Sequence, residues 1–359
     1  MTCFITKGMM AAVMAAATHA HLHTQPQQPV ITPDSGTQAP NSNSSNPQIS
    51  LISNFRANLI NNDRSVHKEI ALKEVELGIA SDVDPFLKAE AYIAFANEDG
   101  TPIAEVEEAF GKYSNLGHGI SAKFGKIAGA IGRIQRNHTD QLNFLDYPFI
   151  VQDFLGAEGL RAGGASISYL LPGNRFHELT LEGLDAADSK LFAGAHSGVP
   201  VWIGHYRTFI DFSEDKSAQL GATYANGPSG SNQRRAQLFG LDMAYKWTPG
   251  SAGKSMTLES EAYWGRPGTP GSKAAFGAFA STTYQLNHSL HGYIKYDYSE
   301  EPGTSKIRNA WSIGMTLKPT EFHHWRVEFQ HSNSNFSSNK NVLNIQFQMA
   351  IGAHPAHKY

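Results

Sequence analysis

One stretch of the chain, residues 130–160, combines charged side chains of both signs with apolar residues. Its ionisable side chains are Arg133, Arg136, His138, Asp140, Asp146, Asp153 and Glu158. Basic and acidic groups that face each other across a narrow passage select what passes by size and charge. The apolar run around Phe149 indicates that the stretch packs against another part of the protein. We therefore interpret it as a selective constriction, with a solvated surface loop as the alternative.

Residue pairs suited to acid–base catalysis are present but not distinctive. Glu74 and Glu76, like Glu259 and Glu261, are two residues apart. Each pair would share one face of a strand, as the two carboxylates of a glycosidase can. The same spacing is also the polar side of any alternating strand. Because the sequence contains neither a Gly-x-Ser-x-Gly turn nor a glycine-rich phosphate-binding fingerprint, we expect no enzymatic activity.

Histidine is abundant, with 16 residues, and neutral imidazoles bind zinc. His354 and His357 lie close together near the end of the chain and are the candidate metal ligands. A zinc site needs three or four converging ligands, and no third ligand stands at a fixed spacing from this pair. We expect no cofactor, with zinc at His354 and His357 as the alternative.

Composition excludes several classes of protein. The chain of 359 residues has 29 Lys and Arg against 32 Asp and Glu, spread along its length. Without a basic stripe to neutralise phosphates, we expect no nucleic-acid partner. No run approaches the roughly 18 apolar residues that a membrane-spanning helix needs. The single cysteine, Cys3, supports neither a disulfide within the chain nor a zinc site built on thiolates.

The beginning of the chain has the pattern of an export signal. Lys7 precedes a short apolar run, and Thr18-His19-Ala20 offers small residues where a signal peptidase cleaves. Residues 21–50 are rich in Gln, Pro, Ser, Asn and Thr and have little to bury. The sequence therefore predicts a signal peptide at 1–20, a disordered polar segment at 21–50 and a folded region at 51–359.

The folded region alternates between apolar and polar residues, which is the pattern of strands with two different faces. In residues 239–247, Phe239, Leu241 and Met243 alternate with Gly240, Asp242 and small or polar residues. Such segments recur about 16 times, and tight turns between them alternate with longer connections, as in a transmembrane barrel. The polar residues assigned to the inner wall are Glu74, Glu76, Lys88, Glu90, Glu259, Glu261, Lys295, Asp297, Arg326 and Glu328.

The connections and one break in the alternation add detail to this prediction. Eight longer connections are predicted at one end of the barrel, and 130–160 is the third and longest of them. They are residues 61–70, 97–101, 130–160, 187–198, 226–235, 266–273, 300–307 and 332–340. Between Glu105 and Tyr113 the alternation breaks at Glu107-Glu108. This break predicts a β-bulge, with a wrong register for this strand as the alternative.

Several short motifs are similar to those of bacterial outer-membrane proteins. They are Lys73-Glu74-Val75-Glu76-Leu77-Gly78, Ser81-Asp82-Val83-Asp84-Pro85, Val106-Glu107-Glu108-Ala109-Phe110, Lys123-Phe124-Gly125-Lys126 and Ile351-Gly352-Ala353-His354-Pro355-Ala356-His357. Together they resemble a porin-like family related to the phosphate-selective porins O and P. Some members are labelled zinc-regulated TonB-dependent outer membrane receptors. The resemblance implies a barrel in outer-membrane lipid, inserted by the barrel-assembly machinery and often a homotrimer.

The sequence thus predicts an all-β protein, a transmembrane antiparallel β-barrel of about 16 strands in the cell outer membrane. We expect a channel for passive diffusion of small polar solutes or ions, filtered where residues 130–160 fold inward. Because the inner wall carries both signs of charge, we do not expect phosphate selectivity. One alternative is an outer-membrane protein that binds zinc or takes part in its uptake. A secreted soluble all-β protein is more distant.

Overall fold

The computed structural model describes residues 46–62, 66–98, 101–185, 189–192, 198–229, 234–250 and 253–352. The predicted signal peptide, most of the predicted polar segment, and His354 and His357 lie outside these residues.

The described residues form a closed antiparallel barrel, which confirms the predicted fold class. Each strand pairs with its neighbours in sequence, and the last strand pairs with the first, Phe347 lying opposite Phe55. The sixteen strands are β1 (Gln48–Asn62), β2 (Val66–Asp82), β3 (Leu87–Glu98), β4 (Thr101–Tyr113), β5 (Ile120–Ala128), β6 (Arg161–Leu170), β7 (His177–Asp185), β8 (Val201–Ser213), β9 (Lys216–Ser229), β10 (Arg234–Trp247), β11 (Ser255–Arg266), β12 (Ala275–Gln285), β13 (Leu290–Glu300), β14 (Ile307–Thr320), β15 (His323–Ser334) and β16 (Lys340–Gly352).

The alternation in sequence becomes an apolar outside and a polar inside. In β10, Phe239 and Leu241 are 45% and 43% exposed, whereas Asp242 is 4% exposed on the inner side. Trp202 and Ile313 are 59% and 60% exposed on other strands. An apolar exterior of this extent would be unfavourable in water, and it matches the outward-facing belt that a lipid bilayer requires. No helix among the described residues is long and apolar enough to cross a membrane.

The predicted bulge in β4 is present. Tyr92 of β3 lies opposite Glu108, and the next residue, Ile93, lies opposite Val106, so Glu107 is the extra residue. A bulge places two consecutive residues against one partner and turns both toward the same side. As a result Glu107 and Glu108 both point into the barrel, where each is 6% exposed.

Two of the predicted longer connections are wrong. Strand β1 continues to Asn62 and β2 already begins at Val66, while β3 ends at Glu98 and β4 begins at Thr101. The polar residues of 61–70 and 97–101 are therefore largely strand ends. Their backbones pair across the sheet whatever the side chains are, because ladder hydrogen bonds involve only the main chain. Strand β1 also begins three residues before the predicted boundary at residue 51.

The connection between β5 and β6 supplies the core of the barrel. We call residues 129–160 the lumen loop. It contains two one-turn 3-10 helices, at Ile134–Arg136 and Thr139–Gln141, and a short helix α1 (Phe149–Phe154). Its apolar side chains form one buried cluster with residues of the inner wall. Members from the loop are Ile131, Phe144, Ile150 and Phe154, and members from the wall are Ile203, Tyr263, Phe279 and Tyr293.

Candidate functional site

The lumen loop enters the barrel along the wall formed by β7, β9 and β11. Side chains of this wall accept hydrogen bonds from the backbone of the loop. Glu182 Oε2 accepts from the Ala130 N–H at 2.6 Å, and Glu261 Oε1 accepts from the N–H groups of Arg133 and Ile134 at 2.8 and 2.6 Å. Because a non-helical backbone inside a barrel has unpaired N–H groups, inward-facing carboxylates are suitable partners for it.

One ion pair adds to this contact. The Arg133 guanidinium pairs with Glu259, which also accepts a hydrogen bond from Asn143 at 2.9 Å. Arg133 is 126 residues away from Glu259 in sequence. Gly132, with φ +62°, makes the preceding turn, where a Cβ would collide with Glu261 and Tyr263.

The opposite wall contacts the loop through cations instead of carboxylates. Arg326 of β15 donates to the carbonyl oxygens of Phe144 at 2.7 Å and Leu142 at 2.9 Å, and it is 2% exposed. Arg56 of β1 forms an ion pair with Asp146 at 2.6 Å and also donates to the Leu145 carbonyl at 3.2 Å. The loop therefore turns carbonyl groups toward a basic wall and N–H groups toward an acidic wall.

Helix α1 is held by β13 and β14. Asp297 Oδ1 accepts a hydrogen bond from the Phe149 N–H at 3.2 Å, at the start of the helix. Arg308 makes a bidentate ion pair with Asp153, with N–O distances of 2.7 and 2.8 Å, and its guanidinium stacks 3.9 Å above the Phe149 ring. Bidentate contacts of this kind fix orientation as well as position.

The third group of contacts surrounds His138 of the lumen loop, which packs against side chains of β2, β3 and β4. Nδ1 of His138 is 2.7 Å from Glu107 Oε2 and 3.0 Å from Glu76 Oε2, and Nε2 is 3.2 Å from Glu108 Oε1. The Tyr92 ring packs against the imidazole with a centroid distance of 4.6 Å. Burial alone would lower the pKa of His138, but hydrogen bonds to the three carboxylates raise this pKa well above its usual 6.5.

The predicted constriction residues all lie on the lumen loop, but their surroundings differ. Arg133, His138, Asp146 and Asp153 are paired with the wall as described above. Arg136 and Asp140 are half-buried, whereas Glu158 is exposed and lines a cavity of about 210 Å³ near the end of the loop. The structure thus brings four of the seven into contact with charged wall residues and leaves Glu158 at the rim.

The predicted wall residues point inward, but most of them do not face water. Glu74 and Lys88 are partly exposed. The others, each at most 8% exposed, are Glu76, Glu90, Glu259, Glu261, Lys295, Asp297, Arg326 and Glu328. The expectation that these residues line a water-filled lumen is therefore wrong in this structure, because the lumen loop and neighbouring wall residues cover them.

Several residues of the site escaped the sequence analysis. The break in alternation at Glu107-Glu108 predicted their bulge, and the same break could have marked them as inward-facing. Arg56 and Arg308 stood at alternating positions of predicted strands without a feature that separates them from rim residues. Arg161, whose Nε lies 4.0 Å from Glu107 and 3.9 Å from Glu108, follows the loop directly and carries no pattern of its own.

Comparisons by sequence give no family and one similar protein. No protein-family model matches the chain. An uncharacterized protein of Aquifex aeolicus (strain VF5) is 24% identical over 332 residues, which cover 80% of this chain and 70% of that protein.

Similar solved structures are outer-membrane proteins. The outer membrane channel DcaP of Acinetobacter baumannii has a TM-score of 0.62 at 12% identity, covering 86% of this chain and 99% of that one. An anion-selective porin from Comamonas acidovorans has a TM-score of 0.60 at 9% identity, covering 85% and 99%. OmpT of Vibrio cholerae, expressed in the outer membrane, has a TM-score of 0.58 at 10% identity, covering 87% and 99%. The chain therefore has the barrel fold of outer-membrane porins and channels.

Proposed function

We propose that this protein is a porin-like channel of the bacterial outer membrane, through which small polar solutes or ions diffuse passively. The lumen loop acts as its filter and gate. The observation that carries the proposal is the position of this loop, which contacts an acidic wall through N–H groups and a basic wall through carbonyl groups. Opposed charges across a constriction select solutes by size and sign of charge.

The burial of wall residues beneath the loop supports a gated channel. Glu259, Glu261 and Arg326 are each 2% exposed because loop atoms cover them. A hydrated solute needs the loop to separate from at least part of the wall. Charged groups that leave each other at this point gain water as partners, so the polar contacts of the loop separate at less cost than the apolar cluster around Phe144 and Phe154 would.

The surroundings of the protein follow from the same proposal. The apolar exterior lies in outer-membrane lipid, and the chain reaches the membrane by way of the barrel-assembly machinery. A homotrimer is the proposed assembly, supported by the trimer form in which OmpT of Vibrio cholerae has been solved. A relationship to the phosphate-selective porins O and P remains part of the proposal, without phosphate selectivity, since the inner wall carries both signs of charge.

Planar-bilayer conductance of the refolded protein tests this function. Deletion of residues 135–153 should enlarge the conductance steps, because it removes the segment that crosses the lumen. Arg56→Gln should raise the frequency of open events, since it breaks the ion pair with Asp146. Arg207→Gln is the matched control: Arg207 pairs with Glu178 on the neighbouring strand at 2.7 Å, so its loss breaks an ion pair within the wall and openings should be unchanged.

A barrel that inserts and yet stays electrically silent after the deletion would overturn the channel. Insertion is checked separately by the shift in gel mobility between heated and unheated samples, so a folding defect is not mistaken for a closed pore.

A further inference from the structure

The side chains around His138 form a compact cluster that the channel does not need. We call His138, Glu76, Glu107 and Glu108 the histidine cage. They come from the lumen loop, β2 and the bulge of β4, and each is 5% or 6% exposed. Nothing in the passage of solutes requires three carboxylates to converge on one imidazole at this place.

The arrangement of atoms within the cage points to a shared cation. Oxygens of two different carboxylates, on Glu76 and Glu107, both lie within 3.0 Å of one nitrogen, His138 Nδ1. A ring nitrogen carries at most one hydrogen and cannot donate well to two acceptors. If Nδ1 carries no proton, its lone pair faces two negative oxygens, which is repulsive unless a cation lies between them.

The carboxylate of Glu108 is placed like a group that does not bind the metal itself but hydrogen-bonds to the histidine that does. Glu108 Oε1 is 3.2 Å from His138 Nε2, on the far side of the ring. A histidine that binds a metal through one nitrogen usually donates its other N–H to a carboxylate, which fixes the tautomer and makes the ligand more basic. Glu108 therefore holds Nδ1 ready to act as a ligand.

The distances are close to those of a coordination sphere. Zinc lies about 2.0–2.2 Å from nitrogen and carboxylate oxygen, so tetrahedral ligands are roughly 3.3 Å from one another. The Nδ1–oxygen distances of 2.7 and 3.0 Å need only widen by a few tenths of an ångström. The candidate ligand atoms of Glu76, Glu107 and His138 all lie within 4.8 Å of one another.

The charges near the cage are a separate observation, and they also favour a divalent cation. Three carboxylates face one imidazole, and the guanidinium of Arg161 lies 4.0 Å from Glu107 and 3.9 Å from Glu108. The Nε and Nη1 atoms of Arg161 are buried without a hydrogen-bond partner among the described residues. Arg161 therefore offsets the negative charge of Glu107 and Glu108 from a distance, without hydrogen bonds to them. A divalent ion among the three carboxylates would offset their charge at contact distance.

We propose that the histidine cage binds one divalent transition-metal ion, with His138, Glu76 and Glu107 as ligands and Glu108 as the group that orients the imidazole. One nitrogen and two carboxylate oxygens suit zinc and its neighbours in the first transition row. Such an ion ties the lumen loop to β2 and β4. The site differs from the pair His354 and His357, and it depends on the barrel fold and not on conductance.

Metal binding to the refolded, untagged full chain in detergent tests the proposal. A background with Asn in place of His21, His23, His354 and His357 removes histidines near the two ends of the chain. Equilibrium dialysis against Zn²⁺ should give one ion per chain. Co²⁺ should give the visible absorption of a low-symmetry nitrogen and oxygen site.

Isosteric substitutions assign the ligands. Glu107→Gln and Glu76→Gln should each weaken binding by about 100-fold or more, and Glu108→Gln by roughly 10- to 100-fold, as removal of outer partners does. Glu328→Gln is the matched control, because Glu328 is a buried carboxylate of β15 that accepts hydrogen bonds from Tyr293 and Asn344 and lies outside the cage. It should bind as the background does.

Absence of a stoichiometric ion from a background protein with the gel mobility of a folded barrel would overturn the site. So would Glu107→Gln and Glu76→Gln variants that retain the ion at unchanged affinity. If Glu76→Gln or Glu107→Gln does not fold, His138→Asn supplies the same comparison, since it changes the loop and leaves the strands intact. A metal-binding result of either sign leaves the conductance test of the channel untouched.

Discussion

Arg326 offers the most direct way to release the lumen loop without altering the loop itself. Its guanidinium is buried and donates to two loop carbonyls, of Leu142 and Phe144, and to Thr316 Oγ1 on the neighbouring strand at 3.1 Å. Arg326→Met keeps a side chain of similar length but removes every donor. The two carbonyl groups of the loop then lose their partners on the wall.

The size of the effect can be worked from these contacts. A buried carbonyl left without a partner is unfavourable by about 1–3 kcal/mol. Two such groups give about 2–6 kcal/mol, from which the relief of the desolvated guanidinium must be subtracted. We take about 3 kcal/mol, which shifts the equilibrium between docked and released loop by roughly 100-fold.

Limited proteolysis reports this equilibrium. Trypsin cleaves after Arg133 and Arg136, which lie inside the barrel when the loop is docked, so cleavage requires release of the loop. When release and return are fast compared with cleavage, the rate is proportional to the released population. Mass spectrometry of peptides that end at these two arginines should show cleavage roughly 100-fold faster in Arg326→Met.

Arg207→Met is the control for this experiment, because it removes a half-buried ion pair within the wall, between Arg207 and Glu178. Its cleavage rate should equal that of the unmodified protein. If Arg326→Met retains the gel mobility of a folded barrel and is cleaved no faster than Arg207→Met, the wall does not hold the loop and the loop does not gate the channel in the proposed way.

Three further predictions concern the barrel and its lumen. Gly125→Ala should destabilise the refolded barrel by about 1–3 kcal/mol in urea titrations, because φ at Gly125 is +130° and a Cβ would collide with the Ala109 carbonyl; Gly163→Ala, where a Cβ meets nothing within 4 Å, should be neutral. The variant without residues 135–153 should prefer potassium over chloride, since carboxylates outnumber cations among the predicted wall residues; a reversal potential that favours chloride would contradict this. In single-tryptophan variants, brominated acyl chains should quench Trp202 and Trp311, which are 59% and 54% exposed on the outer face, and unquenched emission would place that face outside the lipid.

The sequence alone predicts the barrel well because the period of two survives in most strands. Residues 239–247 identify both faces of β10, and the break at Glu107-Glu108 identifies the bulge of β4. The connections are harder to predict. Residues 61–70 and 97–101 are mostly polar, and a polar strand end has the same composition as a loop.

The sequence predicts which side chains of the site point into the barrel, but it does not predict which residues they contact. Alternation shows that Glu259 and Arg326 point inward, but it contains no information about which residue lies across the lumen. Arg56 and Asp146 are 90 residues apart in sequence, and their contact depends on how deeply the loop descends. The sequence also does not predict that the inner wall is buried. A polar inner face can contact water, and it can equally contact a loop that supplies hydrogen-bond partners.

The way the wall and the loop satisfy each other explains how a polar lumen can be closed. An apolar plug would leave the inward carboxylates and guanidinium groups without partners, which is strongly unfavourable for buried charges. A backbone with few regular hydrogen bonds has N–H and C=O groups that are free to bond to side chains. The N–H groups of the lumen loop donate to Glu182 and Glu261, and its carbonyl groups accept from Arg326 and Arg56. Its orientation is therefore imposed by the two walls. When the loop moves away, the same acidic and basic walls face each other across water, so the groups that close the lumen are also those that would select the solutes entering it.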